Sequence, residues 1–139
     1  MKTRIKSKKS GRCNILTVCA VAILLLVGIC GLWTQKKTEE LCAGAEELLE
    51  STVQSAGTGD FLSAEISANS LREFWSSQRT FLGLFYEHEA ANLIEEGIAR
   101  LCVYVGEESF VSVKAEAESI KSQLKVLSAY DSVSAVNIV

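Results

Sequence analysis

The sequence predicts an all-α protein in which an N-terminal transmembrane helix is followed by a small antiparallel bundle of about four helices. Three observations predict it. The 139 residues contain no proline, and 48% of them are hydrophobic, a composition that lets helices run long and offers little to strands or tight turns. One stretch, Cys13 to Trp33, runs 21 residues without a charge. Beyond it, apolar residues recur at steps of three and four, the period of an amphipathic helix.

Charge divides the chain in the same way. Residues 1–12 hold Lys2, Arg4, Lys6, Lys8, Lys9 and Arg12 and no acid, whereas from Thr34 onward eight Lys or Arg face seventeen Asp or Glu, a net of −9. The basic segment reads as a cytoplasmic leader and the acidic one as a folded domain unsuited to nucleic acid. About a hundred residues remain for that domain, enough for one modest core.

The uncharged run, residues 13–33, spans the roughly 30 Å hydrocarbon layer at about 1.5 Å per residue. A domain this small could not surround a helix apolar on every face, so a buried core helix is the weaker explanation. Trp33 at its end suits the lipid–water interface. The run is longer than the apolar part of a cleaved signal peptide, and no small-x-small site follows it. Val27, Gly28 and Ile29 ahead of Cys30 do not make a lipoprotein cleavage site. Gly28 and Gly31 are three apart, which is not the four-residue spacing of a close-packed membrane dimer. Six cations precede the run and only Lys36 and Lys37 closely follow it, placing the N-terminus in the cytoplasm and residues 34–139 outside.

Within the domain, Leu41, Ala45, Leu48, Leu49, Val53 and Ala56 form the apolar stripe of a first helix, which can continue directly from the anchor. Gly57-Thr58-Gly59-Asp60 then provides a stop and a new N-cap. A second helix carries Leu62, Ile66, Leu71, Phe74, Trp75, Phe81 and Leu82, with Trp75 as the central packing residue, and loses phase between Gly83 and Glu87. A third holds Leu93 or Ile94, Ile98, Leu101 and Val105 and breaks at Gly106-Glu107-Glu108. The last repeats Phe110, Val113, Ala117, Ile120, Leu124 and Leu127, a seam too short for an autonomous coiled coil and suited to a bundle. The tail, with Val133, Val136, Ile138 and Val139, is apolar enough to dock on that bundle.

Candidate chemistry is sparse. His88, the single histidine, lies in Glu87-His88-Glu89, but Ala91 and Asn92 occupy the positions where a zinc helix needs a second ligand. It reads better as a helix-start residue. The pairs Glu39/Glu40, Glu46/Glu47, Glu95/Glu96 and Glu107/Glu108 lack the alternating oxygen ligands of a calcium loop. No serine stands in a nucleophile elbow, no glycine loop cradles phosphate, and Ser70-x-x-Glu73 matches a capping box only by coincidence of helical spacing. No catalytic residue, cofactor or metal is therefore assigned. Cys42 and Cys102 both fall in the exported part. A disulfide between them would stabilise by about 3–5 kcal/mol, yet both serve equally well as small apolar fillers.

A family resemblance adds to this. Trp75 in the second helix, His88-Glu89 with Asn92 and Ile94 opening the third, Ile98 with Arg100-Leu101, and Val136-Asn137-Ile138 near the end resemble the small membrane-anchored proteins of clostridia and bacilli grouped as domain of unknown function 4363. Asn92 stands where that family favours Asp. The resemblance implies a Gram-positive source, an extracytoplasmic domain and no assigned activity. Trp75, His88, Glu89, Asn92 and Asn137 are its structural or interaction candidates. Two function classes follow. The first is a non-enzymatic interaction module anchored in the lipid bilayer that meets a protein partner or itself. The alternative is a small-ligand sensing bundle in which His88, Trp75 and nearby carboxylates line a pocket.

Overall fold

The computed structural model describes the backbone of residues 10–86 and 88–136 and the side chains of residues 15–86 and 89–129. Five helices and no strand occur among them: α1 (Ser10–Gly57), α2 (Phe61–Ser77), α3 (Arg79–Phe85), α4 (His88–Gly106) and α5 (Phe110–Val136). The chain divides into two compact units, Met1–Trp33 and Thr34–Val139. In the first, every described side chain from Ile15 to Trp33 is exposed. Leu24, Leu25 and Leu26 follow one another around the helix with none inside, which makes this segment a candidate membrane span by length and composition.

The second unit is a helical bundle whose register can be read from contacts along each helix pair. Between α1 and α5, the Cys42 thiol faces the carbonyl of Leu124, Lys121 reaches Glu50, and Gly57 lies under Phe110. Between α1 and α2, Gly44 meets Phe74 and the hydroxyls of Ser51 and Ser67 are hydrogen-bonded at 3.0 Å. The Cys102 thiol of α4 faces the carbonyl of Ala68 on α2, and Arg100 reaches Glu116 on α5. Ascending numbers on one helix meet descending numbers on the next in each case with more than one contact, as antiparallel neighbours joined by short connections require. The ring of contacts runs α1–α2–α4–α5 and back to α1, with α3 inserted between α2 and α4.

The core is a seam of buried residues from all four long helices. Leu41, Ala45 and Leu49 come from α1; Ala64, Ala68, Leu71 and Trp75 from α2; Ile94, Ile98, Leu101 and Val105 from α4; and Val113, Ala117, Ile120, Leu124 and Leu127 from α5. Each set steps by three or four, so the period read from the sequence is the one that packs. The face chosen on α2 differs from expectation. Leu62 and Ile66 are 72% and 63% exposed, because the phase set by Leu71 and Trp75 runs back through Ala68 and Ala64. Small residues on that face let α4 approach closely. On α4 the same logic selects Ile94 and leaves Leu93 outside, and Phe110 at the start of α5 is only partly covered.

Two of the connections turn on a residue with positive φ. At the first, Gly59 has φ +80, a backbone conformation open to glycine without a Cβ penalty. The Asp60 carboxylate then accepts from the Ser63 N–H at 3.0 Å and from the Ser63 hydroxyl at 2.6 Å, capping α2. These hydrogen bonds hold the Asp60 carboxyl below its ordinary pKa. At the α4–α5 connection the left-handed residue is Glu108, φ 54, and the Ser109 N–H bonds back to Tyr104 O at 3.1 Å.

The second helix does not run through to Leu82 as anticipated. It stops at Ser77, where Gln78 (φ −91, ψ 0) both ends α2 and starts α3. The Gln78 N–H bonds to Trp75 O at 3.0 Å, and the Leu82 N–H bonds to Gln78 O at 3.0 Å. No glycine or proline marks this break. Ser70 lies inside α2 with its hydroxyl donating to Ile66 O, so it caps nothing. The backbone of α5 is helical to Val136; the docking expected of the tail lies outside the described residues.

Candidate functional site

The residues nominated by sequence are not brought to one place. Trp75 is 3% exposed and belongs to the core, which is where its large apolar surface contributes most. His88 is the first residue of α4, and its side chain lies outside the described residues, as does Asn137. Glu89 sits exposed in the first turn of α4, where a carboxylate complements the positive end of the helix dipole. Asn92 is exposed one turn further on. The structure does not bring Cys42 and Cys102 together: Cys42 is oriented toward Leu124 O at 3.7 Å and Cys102 toward Ala68 O at 3.8 Å. Burial pushes the Cys102 thiol above its ordinary pKa, against a smaller opposing effect of Arg72.

Asn92 does take part in a surface feature. With Arg79, Glu95, Glu96 and Ala99 it lines a solvent-open depression of about 290 Å3 where α3 meets α4. Arg79 lies 3.7 Å from Glu95 across it. At its far side Arg100 is 3.9 Å from Glu96 and turns its guanidinium onto Glu116 of α5, with Nη2 and Nε at 2.9 and 3.1 Å from one carboxylate oxygen. The hydrogen bond to Glu116, then its charge, raises the Arg100 pKa. Glu116 is itself largely covered, so this pair ties α4 to α5 and is committed to the fold. Among the described residues no group of three or more His, Cys, Asp or Glu side chains is placed to hold a metal ion.

A second feature lies at the end of the bundle where the chain enters. The Tyr86 hydroxyl is hydrogen-bonded to Thr38 Oγ1, and Thr38 in turn donates to Thr34 O at 3.0 Å. Thr38 is buried, and with its own proton spent on the helix it acts as acceptor for Tyr86. Around this link the rings of Phe81 and Phe85 meet at 5.2 Å and those of Phe81 and Tyr86 at 6.2 Å, both tilted. The sequence pattern places Phe81 and Leu82 at the close of the second helix and loses phase from Gly83 to Glu87, without pointing to this cluster. The run Phe81-Leu82-Gly83-Leu84-Phe85-Tyr86, with five large apolar or aromatic residues in six, was the signal available.

Comparison with known families adds one finding. The profile of the family described as "Domain of unknown function (DUF4363)" matches residues 32–138. The chain belongs to that family. The match begins at the close of the apolar run and covers nearly all of the bundle, so the DUF4363 unit is the second compact unit of this chain. No curated protein and no solved structure matches the chain.

Proposed function

We propose that this DUF4363 protein is a non-catalytic interaction module. Its apolar helix holds it in a membrane with the N-terminus in the cytoplasm, and the bundle outside engages a protein partner or a second copy of itself. One observation carries the proposal. The two buried polar side chains among the described residues, Thr38 and Thr52, each spend their hydroxyl on a carbonyl of their own helix, Thr34 O and Leu48 O. Apart from the link of Thr38 to Tyr86 and the buried Gln123 Oε1 of α5, the described core is apolar and offers few of the converging polar groups that a small-molecule site uses to orient its ligand. What the domain presents, it presents on its exterior.

The asymmetry of Lys and Arg supports the orientation, with six cations before the apolar run and only Lys36 and Lys37 closely following it. The test combines topology with capture. Reporter fusions at the C-terminus should register an extracytoplasmic location, and photo-crosslinkers at the exposed Leu62 and Ile66 should return one recurrent protein or a homodimer. A cytoplasmic C-terminus refutes the topology. A monomeric chain that returns no protein shifts the weight to ligand sensing, for which the depression beside Asn92 is the place to look.

A further inference from the structure

The corner formed by α3 and Tyr86 is one of the places where the bundle offers large apolar side chains to water. Leu84 is 74% and Phe85 49% exposed, adjacent at the end of a seven-residue helix whose buried residue is Leu82. Two neighbouring large apolar side chains offered to water on an acidic domain require an explanation from their surroundings. Two observations supply one.

The first is position. Tyr86 is fastened to Thr38, five residues beyond Trp33. That interval is about 7.5 Å as helix and no more than about 17 Å of fully extended chain. A headgroup layer is roughly 5–8 Å deep on each side of the hydrocarbon. The second is charge. The segments 34–38 and 78–86 carry Lys36, Lys37 and Arg79 and no acid, in a domain with twice as many acids as bases. Acidic residues resume only at Glu39 and Glu40 on one side and Glu87 and Glu89 on the other.

We propose that this corner is a second membrane contact, in which Leu84 and Phe85 enter the interfacial layer of the same bilayer that holds the chain's own anchor. The inference rests on the anchoring described above. Phe and Tyr rings suit the boundary between acyl chains and headgroups, and Lys36 and Lys37 match anionic headgroup phosphates, while Arg79 is shared with Glu95 at 3.7 Å. The Tyr86–Thr38 link then acts as a strut, fixing the corner to the segment that leaves the membrane.

The test places a benzophenone side chain, one position at a time, at Leu84, Phe85, Leu24 and Leu62 of the full chain. Each variant is irradiated in cell membranes and again in vesicles of phosphatidylcholine and phosphatidylglycerol, and adducts are identified by mass. Lipid adducts at Leu84 or Phe85 should approach those at Leu24 and exceed those at Leu62 by at least about tenfold, the partition contrast between apolar and aqueous surroundings for a side chain of this size. Labelling at Leu24 with none above the Leu62 level at both corner positions overturns the inference and leaves the anchor standing. A protein adduct at the corner in place of lipid also overturns it. Absence of lipid adducts at Leu24 removes the anchoring itself, and this contact with it.

Discussion

Gly97 offers a sharp test of how α4 and α5 are packed. A Cβ built on Gly97 would lie 2.9 Å from Ile120 Cγ1, 3.3 Å from Glu116 Oε1 and 3.5 Å from Ile120 Cδ1. In an open helix, Gly→Ala gains about 1 kcal/mol. Here Ile120 is fully buried and, as a β-branched residue in a helix, held to essentially one χ1 rotamer. It cannot swing aside, and overpacking of this kind costs about 1–3 kcal/mol. Gly97→Ala should therefore destabilise the bundle by about 0–2 kcal/mol net. Ile120→Ala alone should cost about 2–5 kcal/mol. In that second background the obstructing Cγ1 is gone, so Gly97→Ala should change sign and stabilise by about 1 kcal/mol. Unfolding of the full chain in detergent, followed by circular dichroism across the four-member cycle, measures both steps. A gain of similar size in both backgrounds would refute the packing argument, because it would mean that the two helices do not meet at Gly97.

Three further predictions follow from other parts of the bundle. Because the Asp60 carboxyl is held below its ordinary pKa of about 3.9 by Ser63, its contribution to stability is fully present above that value and is lost as pH falls through the folded-state pKa. Melting temperatures of the natural chain and Asp60→Asn should stay a fixed distance apart near neutrality and converge in acid; a difference unchanged by pH would count against the cap. Trp75→Ala should cost about 3–5 kcal/mol, whereas Leu62→Ser should stay within about 0.5 kcal/mol, a contrast readable in guanidinium midpoints and reversed if α2 packs on its other face. Reductant should leave the melting temperature unchanged, since the thiols of Cys42 and Cys102 face different carbonyls. Cys102 should also label slowly near neutral pH and faster as pH rises, because burial disfavours its thiolate.

Of the site, the sequence showed only fragments. The pairing of Arg79 with Glu95 and of Arg100 with Glu116 joins residues sixteen apart on different helices, and no local spacing rule reaches that far. The Thr38–Tyr86 link spans 48 positions. His88 was legible as a helix start because a polar, acid-flanked residue opens an apolar-periodic segment, and α4 does begin there.

The sequence by itself determined the class and the order of the elements. Without proline the helices can run uninterrupted; the uncharged run has no polar face to bury; and Gly57 to Asp60 and Gly106 to Glu108 supply the stops, since backbone freedom and capping are properties of neighbouring residues. Tertiary structure alone decided which face of α2 turns inward, that α2 breaks at Gln78, and that α3 brings Phe85 and Tyr86 beside the entering chain. The physical reason is the same in each case. A helix carrying Leu62 and Ile66 on one face and Ala64, Ala68, Leu71 and Trp75 on another can satisfy its own hydrogen bonds either way. Only the fit of Phe74 against Gly44 of α1 and of Ala68 against Cys102 of α4 selects between them.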